Sequence, residues 1–185
     1  TMLSRRAAVA REPGQSQPTI YKDIRDLTRA RRKLVRDQTA ASNRVHAHVD
    51  RLFPGFLDSK KSGITAFGPA SLHLMKEKFS APQIARRKPS SLTNTLHSLR
   101  VHHPDEVAAQ LIRLAQSALP PDPSRINAQQ RTLSACVNLY ETYERTSLEM
   151  RNEAAALLAS TPYAFLTSLP GISFVLAAGI AGELG

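Results

Sequence analysis

Apolar positions recur every three to four residues along most of this chain, and the strict alternation that marks a strand is nowhere sustained. That pattern predicts an all-α fold. The longest run extends from Pro18 to Phe53, with no glycine and no proline after Pro18. At about 100° per residue, Ile20, Ile24, Leu27, Leu34, Ala41, Val45, Val49 and Leu52 fall in one stripe. Thr19 is the expected N-cap, and Asp23 and Asp26 suit the positive end of the helix dipole. Such a helix is roughly 50 Å long.

A second uninterrupted pattern is expected from Ser124, as N-cap, to about Ala159, with Ile126, Leu133, Val137, Tyr140, Leu148, Ala155 and Leu158 apolar. Two helices of matching length on either side of an insert are expected to form an antiparallel coiled-coil pair. The coiled-coil domain then covers 18–159, with a small helical insert at about 58–120. Within the insert, Asp58 to Pro69 reads as irregular. Short helices are expected at Ala70–Phe79 (Leu72, Met75 and Phe79 inward) and Ser91–Arg100 (Leu92, Leu96 and Leu99 inward). A third starts at Pro104, followed by Asp105 and Glu106, and ends at Pro120-Pro121, with Val107, Leu111, Leu114 and Leu119 inward. Pro82 and Pro89 bracket a basic knot, Arg86-Arg87-Lys88. Upstream, Met2 to Arg11 reads as a short basic helix, and 1–17 as the tail of an upstream domain plus a linker.

Charge changes this picture. Among 185 residues, 25 Lys and Arg face 15 Asp and Glu, a formal +10 with pI near 10.4. The balance points to an anionic partner, nucleic acid before membrane. The first long helix carries nine cations (Lys22, Arg25, Arg29, Arg31, Arg32, Lys33, Arg36, Arg44, Arg51) against four acids. Most gather opposite the apolar stripe, with Arg44 at the border. Arg25/Arg29, Arg29/Lys33 and Arg32/Arg36 are like-charge pairs at i,i+4, which repel unless an anion relieves them. Arg25, Arg29, Arg32, Lys33, Arg36 and Arg44, with the knot Arg86, Arg87 and Lys88, are therefore the candidate phosphate contacts. Arg31, at the stripe's edge, suits an ion pair with a glutamate of the second helix. That helix balances its own signs and reads as neutral support.

Candidate chemistry is sparse. His46 and His48 straddle the helix, and His102-His103 are loop neighbours without metal-ligand spacing. Cys136 lies among apolar positions without a base, and Glu141, Glu144 and Glu149 lack a histidine or aspartate cluster. No phosphate-cradling glycine loop occurs. No catalytic residue, metal site or cofactor is expected. A single cysteine and no apolar leader fit a reducing, cytoplasmic setting. The apolar window Leu169–Leu184 is too short for a bilayer span.

The last stretch, TSLPGISFVLAAGIAGELG, places Leu169-Pro170-Gly171-Ile172 between a short helix at Tyr163–Ser168 and a second one with Val175, Ala178 and Ile180 inward. It resembles a helix-hairpin-helix element, in which backbone amides near Gly171, Ile172 and Ser173 approach a phosphate. The glycines equally suit close helix packing. Ser173 stands where that motif usually has a second glycine, and a positive φ there would be strained.

Together, RDLTRARRKLVRDQTAASNRVHAHVDRLFPGF and, more than a hundred residues later, LPGISFVLAAGIAGELG resemble the DEDD-type insertion-sequence transposases, the bridge-RNA-guided recombinases. Ser173 and Phe174 depart from the usual Gly-Pro of the family's turn. The resemblance implies a RuvC-like nuclease domain with four metal-binding acids before Thr1 and a catalytic serine after Gly185. This chain is then expected to be a fragment of such a protein, inactive alone, with 160–185 opening the C-terminal transposase domain. Mg2+ would belong to the missing nuclease domain. The implied partners are DNA, structured guide RNA or both; an apolar stripe left over on the paired helices would add self-association through the coiled coil, as homodimer or larger assembly. From the residues alone, a helical coiled-coil scaffold with an incidental basic face is the alternative.

Overall fold

A computed structural model describes residues 18–77 and 79–185; the expected Met2–Arg11 helix and its linker lie outside the described residues. The described elements are α1 (Thr19–Leu52), α2 (Ser59–Ser62), α3 (Pro69–Lys76), α4 (Ala81–Ala85), α5 (Pro89–Ser98), α6 (Pro104–Ser117), α7 (Ile126–Ala159), a 3-10 helix (Pro162–Ser168) and α8 (Phe174–Leu184). No strand occurs among the described residues, so the fold is all-α. α1 and α7 are 34 residues long each. The described residues divide into two compact units, one of residues 34–146 and one of residues 18–33 with 147–185.

In the larger unit, the later part of α1 and the earlier part of α7 run antiparallel. Gln38 hydrogen-bonds Tyr140, while Val45, Val49 and Leu52 share a core with Leu133, Cys136 and Val137. The insert completes that core with Leu74, Met75, Leu92, Leu96 and Leu111, all fully buried. Phe53, Phe56 and Phe79 form a ring trio with centroids 4.6 to 5.8 Å apart. Local chemistry sets the short helices. The Asp58 side chain accepts from the Lys60 amide, the Ser80 hydroxyl accepts from the Gln83 amide, and α3 to α6 each carry proline in the first turn. Gln130 of α7 reaches back to hold the chain after α3. Its amide nitrogen donates to the Met75 and Glu77 carbonyls, and its oxygen accepts from the Phe79 amide at 2.8 Å.

Several boundaries differ from the sequence pattern. α2 forms inside the stretch expected to be irregular, and α4 occupies most of the span ahead of the basic knot. α3 stops at Lys76 because Glu77 turns extended, so Phe79 packs into the core from beyond the helix. α5 begins at Pro89 and ends at Ser98. α6 ends at Ser117, leaving Leu119 outside the helix and 81% exposed rather than inward. Ser124 does not cap α7: its amide and hydroxyl both donate to Asp122 Oδ1, at 3.0 and 2.7 Å. Those bonds hold the Asp122 carboxyl below its ordinary pKa. Likewise Thr19 is the first residue of α1 rather than its cap, and the first turn holds no acid.

The smaller unit is built on close approach. Its core joins Ile24 of α1, Ala154 and Leu158 of α7, and Ala177, Ala178 and Ala181 of α8. Val175 and Ile180, expected inward, are half-buried; the small residues face the core instead, with Gly182 buried beside them. A methyl group at Gly182 would sit 2.8 Å from the Arg25 Cα, so the α8 backbone lies directly against that of α1. Tyr21 and Tyr163 meet edge to face at 5.8 Å. Leu148, expected in the α7 stripe, is 47% exposed.

This packing makes two neighbouring glycines opposite in effect. Gly182→Ala is expected to cost roughly 1 to 3 kcal/mol, because the backbone it meets cannot move aside cheaply. Gly179 has nothing within 4 Å of an added methyl group. Gly179→Ala is expected to stabilise by about 0.5 to 1 kcal/mol through helix propensity. Denaturant midpoints of the two variants check both signs.

Candidate nucleic-acid interface

α1 lacks helix breakers, so its cations are displayed at fixed angular intervals. In the smaller unit, Lys22, Arg29, Arg32 and Lys33 are exposed, and Arg25 is half-buried. Arg29 is the exception among the exposed group: its Nε and Nη2 donate to the two carboxylate oxygens of Glu183, at 3.1 and 3.0 Å. Lys22, Arg32 and Lys33 form no ion pair among the described residues. The same holds for Arg31, whose Nε is buried without a hydrogen-bond partner, so the expected pairing with an α7 glutamate is not seen. Asp23 and Asp26 line a separate acidic groove with Glu153 of α7.

In the larger unit, Arg36, Arg44 and Arg51 of α1 are exposed and unpaired among the described residues. The basic knot splits by role. Arg86 caps the end of α4 and Lys88 the start of α5, both exposed, while Arg87 Nη2 donates to Glu77 Oε2 at 2.6 Å. Lys76 is likewise held, by Glu141 at 2.8 Å.

The Pro-Gly turn near the C-terminal end is resolved in its roles. Gly171 takes a left-handed φ of +84° with open space where a side chain would stand. The Ile172 amide closes the turn onto the Leu169 carbonyl at 3.1 Å. Ser173 adopts φ −72°, ordinary extended backbone, and needs no positive φ. Its hydroxyl caps α8 by accepting from the Leu176 amide at 3.3 Å. The close-packing role belongs to Gly182 and not to the turn glycine.

The two histidines of α1 lie against other side chains. His46 stacks against Phe67 at 5.2 Å, and Phe67 against Tyr140 at 4.8 Å. His48 has a buried, unpartnered Nδ1, and its pKa is lowered, first by burial and then by the Arg51 charge. Among the described residues no group of three or more His, Cys, Asp or Glu is placed to hold a metal ion. No helix among them is long and apolar enough to cross a membrane. The partners Glu183 and Glu77 were not legible from spacing. Glu183 lies 154 residues from Arg29, and Glu77 follows a helix whose end the pattern misplaced.

Comparison with protein-family models, curated proteins and solved structures finds no match to this chain.

His48 gives the larger unit a pH dependence of defined sign. Its pKa in the folded chain lies below the ordinary 6.5. Stability is therefore undiminished above that value and falls as pH drops through it toward the lowered one, because the unfolded chain binds the proton more readily. Urea midpoints at about pH 7.5 and about pH 5.5 are expected to differ more in the wild type than in His48→Gln.

Proposed function

We propose that this chain is the middle of a DEDD-type insertion-sequence transposase or recombinase. In this reading it holds the backbone of DNA or structured guide RNA electrostatically and self-associates through its long helices. It supplies none of the catalytic groups of DNA transposition. The observation that carries the reading is the set of exposed α1 cations, Lys22, Arg32, Lys33, Arg36, Arg44 and Arg51, that meet no acid among the described residues. A helix face that is merely solvated intersperses signs, whereas Lys and Arg left without acids gain by releasing counterions from a phosphate backbone. Arg86 and Lys88 add two further exposed cations on the insert. The family's order of motifs, a basic helix followed by a Pro-Gly-Ile turn, supports assigning the polyanion to nucleic acid. No described cluster of acids fits Mg2+, so no step through that ion is derived for these residues.

A second reading, a coiled-coil scaffold, is favoured by Leu139 of α7, which is 43% exposed on the larger unit and suits a contact with another chain. The two readings part on salt. The wild-type chain is expected to bind fluorescent structured RNA or duplex DNA with a steep salt dependence. Changing Arg32, Lys33, Arg36 and Arg44 together to Gln is expected to lower the slope of log K against log salt by about 3 to 4. Arg29 is left intact because its loss would also free Glu183. Equally weak, salt-insensitive binding by both proteins, with self-association retained, would refute the nucleic-acid reading in favour of the scaffold.

A further inference from the structure

Between the loop ahead of α3 and the loop joining α5 to α6, within the larger unit, lies a cavity of about 270 Å³. Ile64, Leu99 and Val101 give it apolar walls, and Thr65, Arg100 and His102 supply its polar side chains. No carboxylate lines it. Two carbonyls on the α3 side of the cavity are already engaged: that of Thr65 accepts from the Ser71 hydroxyl and the Gly68 amide, and that of Gly68 accepts from the Ser71 hydroxyl and the Leu72 amide. The polar side chains that line it are a guanidinium, an imidazole and a hydroxyl, each able to donate.

Arg100 shares its exposure and its lack of an acid among the described residues with Arg86 and Lys88, but of the three it is the one on the cavity wall. Lys61, Lys76 and Arg87 each meet an acid, but Arg100 forms no ion pair among the described residues. It also follows α5 at φ +57°, with the Val101 amide bonded back to the Leu96 carbonyl at 3.0 Å. That helix-ending arrangement favours glycine at the left-handed position. The chain instead places a free guanidinium there, on the cavity wall. α3 opens on the same wall, so its dipole carries the sign that favours an anion.

We propose that this cavity binds a terminal phosphate monoester carried on a single nucleoside unit, anchored by Arg100 with His102 and Thr65 as further donors. A monoester presents three acceptor oxygens and close to two negative charges, which suits a recess lined by several donor side chains and no carboxylate. An internal phosphodiester, flanked by chain on both sides, suits the open face of α1 better. The volume exceeds what a phosphate alone needs and falls just below the usual range for small-molecule sites. The apolar walls therefore cover a sugar and part of a base. The ligand is either a free mononucleotide or the 5′-terminal nucleotide of a strand.

Calorimetric titration of the whole chain tests this with three probes: a 5′-phosphorylated dinucleotide, its 5′-hydroxyl counterpart, and a nucleoside 5′-monophosphate. The phosphorylated dinucleotide is expected to bind on the order of tenfold or more tighter than the hydroxyl form. Arg100→Gly is expected to abolish that preference without lowering Tm, since glycine suits the backbone, and Arg100→Lys to keep part of it. A mononucleotide that binds as well as the dinucleotide identifies a free nucleotide as ligand, and a clearly weaker one identifies a strand end. Equal affinity for phosphorylated and hydroxyl dinucleotides overturns the proposal, as does an unchanged preference in Arg100→Gly. The α1 variant at positions 32, 33, 36 and 44 separates this site from the nucleic-acid reading. If that variant loses the phosphate preference while Arg100→Gly keeps it, the monoester sits on α1 and not in the cavity.

Discussion

A helix of 34 residues with one apolar stripe has to be covered along its whole length, and that requirement shapes the rest of this chain. Few isolated helices hold together in water, so α1 depends on what packs against it. The two units meet the requirement by opposite means. In the larger one, bulk does it: Leu, Met and three phenylalanines from several short helices fill the space beside Val45, Val49 and Leu52. In the smaller one, proximity does it: alanines and a glycine of α8 let backbones touch around Ile24. Removing atoms is the vulnerability of the first arrangement, and adding them is the vulnerability of the second.

Electrostatics then sorts the cations that the apolar stripe leaves outside. Arg29, Lys76 and Arg87 are held by acids distant in sequence or across a turn, on surfaces where each pair contributes at most about 1 kcal/mol. The pairs matter less for stability than for which positive charges remain free. Arg32, Lys33, Arg36 and Arg44 remain so, and the electrostatic footprint of α1 is narrower than its composition suggests.

The sequence made the long elements legible because periodicity accumulates over many turns: α1 ends within a residue of its expected limits, and the α7 end at Ala159 agrees. It was weakest where tertiary contacts decide. Leu119 and Leu148 continue an apolar spacing but are exposed, since nothing in spacing says where a partner stops. Ser124 had the composition of a cap, yet α7 begins two residues later at Ile126, and Ser124 closes a local turn onto Asp122 instead. Phe79 was read correctly as inward and wrongly as helical, because Gln130, fifty-one residues on, supplies the partner that lets its amide leave the helix. Of the candidate interface, exposure on α1 was foreseeable from helical geometry. The neutralisation of Arg29 and Arg87 was not, since it depends on a helix end and a turn that local patterns do not locate.

Gln130 also acts as a ruler. One side chain of α7 satisfies backbone groups of Met75, Glu77 and Phe79 together, so the chain between α3 and α4 is measured off against a fixed point. A residue added or lost there would carry the Phe79 amide out of reach of that side chain, leaving a part-buried donor without its partner. The connection from α6 to α7 carries no such gauge, and its Leu119 already stands in solvent. An inserted residue is accordingly tolerated more readily at the α6–α7 end of the insert than between α3 and α4.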